Sequence, residues 1–220
     1  MYIPKSFEVT DISTLHEFIE SYSFATLVTA VGEEPIATRL PLLLDRASGP
    51  RGTLLGHVAR ANPQWRCFDG ARQCLVMFDG PHAYVSPSWY ATSPAVPTWN
   101  YASVHVYGIP HPIHDAQQLA LLVDRLVATY EAGMSQPWPN RLPADFKAAM
   151  LKAIVGVAIE IDRIEGKFKM GQNRPVEDRI GTVARLKAST DPAARALAEL
   201  SRRHLGVDMA GGSLPRGPGK

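Results

Sequence analysis

The sequence predicts a mainly β protein with peripheral and C-terminal helices, on three observations. Short β-rich runs recur at hairpin spacing between Phe24 and Tyr107. Helical periodicity is confined to a stretch before the first strand, to residues 114–153 and to the segment beyond Pro175. The 220 residues, 45% of them apolar, suffice for one sizeable core and a small appendage.

Taken in order, Asp11-Ile12-Ser13 offers N-caps to a helix whose apolar stripe is Leu15, Phe18, Ile19 and Tyr22. Phe24–Thr29 and Ile36–Leu44 then read as a hairpin turning at Gly32. Thr53–Val58 is a third strand, and Cys74–Phe78, Ala83–Pro87 and Ser103–Tyr107 follow as separate strands broken by Asp79-Gly80 and Pro-rich linkers. His114-Asp115 opens a long helix through Leu119, Leu122, Leu126 and Tyr130, closed by Gly133. Ala144–Ala153 is helical, and the alternation Val155, Val157, Ile159, Ile161 returns to strand. Beyond Pro175 two helices are expected, the second capped by Asp191 before Pro192 and stopped by Gly206. The domain reading is a barrel over 1–173, a helical extension over 174–206 and a disordered tail over 207–220.

Charge and composition narrow the function classes. No apolar run approaches the ~20 residues of a membrane span, and two cysteines without Cys-x-x-Cys spacing suit reduced thiols, so a cytoplasmic protein is expected. Residues 167–220 hold 11 Lys and Arg against 5 Asp and Glu, a surplus of six in a chain whose net charge is +2. That basic end is read as a solvated face or as a surface for DNA. No Gly-x-Ser-x-Gly elbow, Walker loop or Gly-x-Gly-x-x-Gly occurs, which argues against a hydrolase of that type, a P-loop enzyme and a dinucleotide-binding Rossmann fold. The histidines match no metal-ligand spacing, and no metal is expected.

Three segments carry chemistry. In Gly56-His57-Val58-Ala59-Arg60-Ala61-Asn62-Pro63-Gln64-Trp65 a strand ends where Asn62-Pro63 can cap and open a helix. Free backbone N–H groups there, with Arg60 and His57, would suit a phosphate dianion; a plain cap beside a solvated arginine fits the spacing equally well. Val96-Pro97-Thr98-Trp99-Asn100-Tyr101 combines aromatics with hydrogen-bonding side chains, a composition for a flat heterocycle or for core packing. Lys167 and Lys169 share one face if extended, with Gln172 and Asn173 following, as an anionic or polar ligand or a solvated strand end would allow.

Together with Met1–Lys5, Ala37–Leu42, Gly80–Ser86 and His105–Gly108, these blocks resemble the PaiB family of FMN-binding negative transcriptional regulators, from end to end. The resemblance implies a pyridoxamine-phosphate-oxidase-like, FMN-binding split barrel, built as a homodimer with the cofactor at the interface. It implies that the strand carrying Thr38, Arg39 and Leu40 lies along the flavin and that the corner of His57, Arg60 and Asn62 takes the phosphate. Trp99, Asn100, Lys169, Gln172 and Asn173 would then line the ring or ribityl part. Arg39 stands where a histidine is usual in the family, and Gly171 where a serine is usual. Repression through DNA is the implied role, with the basic helices near Arg179–Lys187 and Arg195–Arg203 as the DNA surface. A flavin-dependent oxidoreductase using NAD(P)H, or a haem-binding split barrel, are the alternatives.

Overall fold

The computed structural model describes residues 1–32 and 34–207. Eight strands, β1 (Glu8–Val9), β2 (Phe24–Val31), β3 (Glu34–Pro41), β4 (Leu43–Asp45), β5 (Thr53–Ala59), β6 (Cys74–Val85), β7 (Thr98–Ile113) and β8 (Ile154–Lys169), form one sheet. Among the described residues five α-helices accompany them: α1 (Ile12–Ser21), α2 (Ala116–Glu131), α3 (Ala144–Lys152), α4 (Val176–Lys187) and α5 (Pro192–Leu205). The strand order is β3-β2-β6-β7-β8-β5-β4, with β1 added on β8. β3 and β4 stand at opposite ends of that order, yet only Leu42 separates them in the chain. The two ends of the sheet must therefore meet, which closes it as a barrel.

The chain groups into two compact units. One, here the barrel unit, comprises Ile12–Phe78 and His105–Ile164; the other, the helical unit, comprises Met1–Asp11, Asp79–Val104 and the residues from Glu165 onward. In the barrel unit β2 pairs antiparallel with β3 from Phe24↔Pro41 to Val31↔Glu34, and β5 pairs antiparallel with β8 from Thr53↔Glu160 to Ala59↔Ile154. Helix α2 starts where Asp115 accepts hydrogen bonds from the N–H groups of Gln117 and Gln118, and it buries Leu119, Leu122 and Leu126. Leu122 and Leu126 pack with Leu43 of β4, joined by Leu55 and Ile113. Each such buried leucine contributes about 1.5–3 kcal/mol of transfer free energy. A side chain in place of Gly156 on β8 would put its Cβ 2.9 Å from Leu119 and Ile113, so glycine lets α2 seat directly on the strand.

In the helical unit, α5 begins as the sequence predicts, with Asp191 accepting from the Ala193 N–H and Pro192 in the first turn, and it ends at Gly206 in the left-handed conformation. Val207 is buried beyond it; the remainder of the predicted tail lies outside the described residues.

Two expectations are corrected. Asp79-Gly80 does not break a strand: β6 runs unbroken from Cys74 to Val85. Cys74, Val76 and Phe78 are buried at even positions and Pro81, Ala83 and Val85 at odd ones, so the dipeptide absorbs a one-residue change of phase, as a bulge does. Ile36–Leu44 is likewise not one strand, because the chain leaves β3 at Pro41 and resumes pairing in β4 at Leu43. β7 and β8 are each 16 residues long, well beyond the apolar cores of Ser103–Tyr107 and Val155–Ile161 that the sequence marks.

Candidate functional site

The barrel unit gathers Thr38, Arg39, Leu40, His57, Arg60 and Asn62. Strand β5 carries His57 and runs past β3 at close range: a Cβ on Gly56 would lie 2.9 Å from the Pro41 carbonyl oxygen and 3.5 Å from Leu40. Past the end of β5, Asn62 does two things. Its Oδ1 accepts from the Gln64 N–H at 3.0 Å, and its Nδ2 donates to the Thr38 hydroxyl at 2.8 Å. The cap predicted from Asn62-Pro63 forms, but what it opens is a 3-10 turn of five residues, Pro63–Cys67. A single turn has little macrodipole, so an anion here would depend on side-chain donors.

Those donors are unequal. Arg60 spends Nε on the Lys152 carbonyl at 2.7 Å and one N–H of Nη2 on the Ile154 carbonyl at 2.8 Å, which leaves Nη1 and the second N–H of Nη2 as its remaining donors. Its backbone carbonyl accepts from the Trp65 indole at 2.9 Å. Arg39 lies across its own hairpin, with the guanidinium 4.8 Å from the Phe24 ring centroid and Nη2 donating to the Phe24 carbonyl at 3.3 Å. His57 is half-buried, and its Nδ1 is sealed from solvent with no hydrogen-bond partner among the described residues. Burial holds its pKa below the ordinary histidine value, which favours the neutral ring.

The helical unit holds the remaining candidates. Trp99 and Asn100 are neighbours on β7 and therefore face opposite sides: Trp99 is 54% exposed and Asn100 3%. They do not line one surface together. Lys169, at the end of β8, donates to the Thr98 hydroxyl. Gln172 folds back on the strand end, its Oε1 accepting from the Met170 N–H at 2.8 Å and its Nε2 donating to the Phe168 carbonyl. Asn173 is exposed. Gly171, where a serine is usual in the resembling family, has φ +84°, a conformation that glycine adopts without strain. Lys167 is not a solvated strand end: it is 9% exposed, donates to the Tyr2 carbonyl at 3.0 Å and lies 5.3 Å from the Tyr101 ring centroid.

Sequence reading missed two side chains. Gln64 is fully buried, and its Nε2 faces the Leu27 carbonyl, the Thr29 hydroxyl and the Ile36 carbonyl, each at 3.1 Å. Asp178 is fully buried on α4, accepting from the N–H groups of Ala91 and Thr92 at 2.8 and 3.0 Å and from the Thr92 hydroxyl at 2.6 Å. A polar residue inside an otherwise ordinary turn or helix is the only local signal for either. Among the described residues no group of three His, Cys, Asp or Glu side chains is placed to hold a metal ion, and no helix is long and apolar enough to cross a membrane.

Known proteins share this architecture. Residues 1–163 match the family model described as "Putative FMN-binding domain". The chain is 38% identical over 205 residues to "Protease synthase and sporulation protein PAI 2" of Bacillus subtilis (strain 168), covering 91% of this chain and 96% of that protein. Among solved structures, the flavocytochrome Anf3 from Azotobacter vinelandii superposes with a TM-score of 0.61 at 16% identity, covering 77% of this chain and 73% of that one. The FAD and heme binding protein from Mycobacterium smegmatis gives 0.57 at 19% identity, covering 74% of each chain. At such identities these two structures speak for the fold alone. The family match over most of the chain and the nearly full-length relative in Bacillus subtilis together establish that the chain belongs to the FMN-binding-domain family, as a split barrel of the PaiB type.

Proposed function

We propose that the protein is a cytoplasmic flavoprotein that binds FMN, with the phosphate at the corner formed by Thr38, His57, Arg60 and Asn62. The observation that carries this reading is the bare Nδ1 of His57. A buried polar atom without a partner costs about 1–3 kcal/mol, a cost that a bound acceptor removes. The neutral ring can place its proton on Nδ1 and donate it to a phosphate oxygen. Nη1 of Arg60 and the Thr38 hydroxyl supply further polar contacts at the same corner. Bound flavin would bring hydride and electron transfer; the chain's own residues bind and orient it.

The visible spectrum of the purified protein separates a flavin from a haem. Titration of stripped protein with FMN then tests the corner: His57→Ala weakens binding by about 1.5–3 kcal/mol if the ring donates to the phosphate. Undiminished affinity in that variant, measured by calorimetry, removes His57 from the site.

The same proposal includes a homodimer. It is supported by α3, none of whose residues is buried and which exposes Phe146 and Met150 one turn apart, an apolar face that a second copy could cover. Control of transcription through DNA is an extension that the helix pair supports less. Arg195 donates to the Ser189 and Thr190 carbonyls, and Arg202 and Arg203 both pair with Glu199, which leaves Arg185 and Lys187 as exposed cations of α4. A salt-dependent shift of promoter DNA beyond that of random competitor is the measurement that decides it.

A further inference from the structure

The helical unit contains a cleft that the phosphate corner does not use. Alternation along β6 puts His82 and Tyr84 on one exposed face, and Trp99 of β7 stands beside them. The Trp99 ring centroid is 6.1 Å from that of His82 and 6.1 Å from that of Tyr84, the latter at 75°. Tyr84 is 47% exposed and Trp99 54%, an unusual expense of aromatic surface on a single face. With Trp89 these rings wall a cavity of about 440 Å³, floored by Leu186 and Ala194. Arg185 and Asp191 stand at its rim, where α4 gives way to α5.

The wall is held in place before any ligand arrives. Trp89 sits in a short turn capped by Ser86, whose hydroxyl accepts from the Ser88 N–H at 3.2 Å. The chain just beyond it is tied down by Asp178 through Ala91 and Thr92, and Arg174 stacks 4.3 Å from the Tyr90 ring centroid. A cleft whose rings are already fixed loses little entropy on binding. The charge at its rim is equally specific. Asp191 is engaged in capping α5, whereas Arg185 is exposed and makes no hydrogen bond or ion pair among the described residues.

We propose that this cleft is a binding site for a small aromatic carboxylate of one or two rings, packed against the exposed faces of Tyr84 and Trp99 with its carboxylate on the Arg185 guanidinium. The volume falls in the range of small-molecule pockets. Flat rings match the aromatic walls, and a planar guanidinium pairs with a carboxylate in bidentate fashion. The site does not depend on the flavin reading, although Trp99 belongs also to the segment that the family resemblance assigns to the flavin.

Calorimetry on the protein as purified, with any flavin it carries, tests the proposal. The probes are indole-3-acetate and its uncharged relative 3-methylindole. The expected result is saturable binding of indole-3-acetate, weakened about tenfold in Arg185→Gln, with 3-methylindole unaffected by that change. Tyr84→Ala weakens both probes, and neither variant alters flavin content. The absence of saturable binding at millimolar probe, or equal affinity in wild type and both variants, overturns the proposal. Loss of flavin from Arg185→Gln or Tyr84→Ala also overturns it, because the cleft would then belong to the cofactor.

Discussion

Among the described residues each unit seats one polar side chain with no exposure to solvent, and the two are satisfied in opposite ways. In the helical unit Asp178 is an acceptor surrounded by donors: two backbone N–H groups, one hydroxyl and, at 3.9 Å, the Arg174 guanidinium. In the barrel unit Gln64 is a donor surrounded by acceptors, and while its Nε2 meets three oxygens its Oε1 meets nothing among the described residues. Backbone carbonyls only accept, so the amide cannot be turned round to relieve the oxygen. A saturated carboxylate fixes the loop it holds. An amide with one bare end holds its hairpin less firmly, two residues from the Asn62 cap of the proposed phosphate corner.

The largest effect should therefore come from Asp178. Asp178→Ala strands the Ala91 and Thr92 N–H groups and should cost about 3 kcal/mol, read as a lower urea midpoint with an unchanged slope. Asparagine should recover much of that loss, because both N–H groups meet Oδ1 and an amide nitrogen in the place of Oδ2 can donate to the Thr92 hydroxyl. A loss below about 1 kcal/mol would mean that the 87–92 segment is held by something other than this carboxylate.

Gln64 comes next. Gln64→Met keeps the shape and removes the donor, and should cost about 1–2 kcal/mol, since the Leu27 and Ile36 carbonyls lose only one of their contacts. Gln64→Glu should cost more than Gln64→Met, because a carboxylate would face three oxygens. If the two variants were equally stable, water must reach the pocket, and the contrast with Asp178 would fail.

The same contrast explains what could be read in the sequence. Caps at Asp115 and Asp191 and the stop at Gly206 were legible because each is decided by residues within a few positions. Strand β6 was read as two strands because its alternation changes phase at Asp79-Gly80. β8 was read short because the apolar alternation of Val155, Val157, Ile159 and Ile161 gives way to exposed Asp162 and Arg163 and then to the consecutive buried run Gly166, Lys167 and Phe168, so its first half does not predict its second. Asp178 finds its donors 86 and 87 residues away and Gln64 its acceptors 28–37 residues away, distances over which no local pattern carries. At the candidate site, the contact of Asn62 with Thr38 follows from the barrel rather than from spacing. The commitment of Arg60 to two carbonyls was equally invisible, because an arginine beside a cap reads the same whether or not the next strand needs it.

Two histidines, one half-buried and one exposed but packed against a ring, extend the comparison at smaller amplitude. His57 in the barrel unit and His204 in the helical unit both have pKa values lowered by partial desolvation, His204 where its ring packs 5.0 Å from that of Phe168. Each folded value lies below the ordinary 6.5, so between the two values the unfolded chain binds more protons than the folded one. Their stabilising contribution is thus complete above about pH 6.5 and is lost as pH falls through the folded values. Urea midpoints measured from pH 7.5 down to pH 5 should decline, and His57→Gln and His204→Gln should each flatten part of that decline. FMN distinguishes them. A phosphate dianion on Nδ1 favours the charged ring, so loading with FMN should remove the His57 part of the slope and leave the His204 part in place. Equal slopes with and without FMN, in a protein shown to be loaded, would separate His57 from the phosphate.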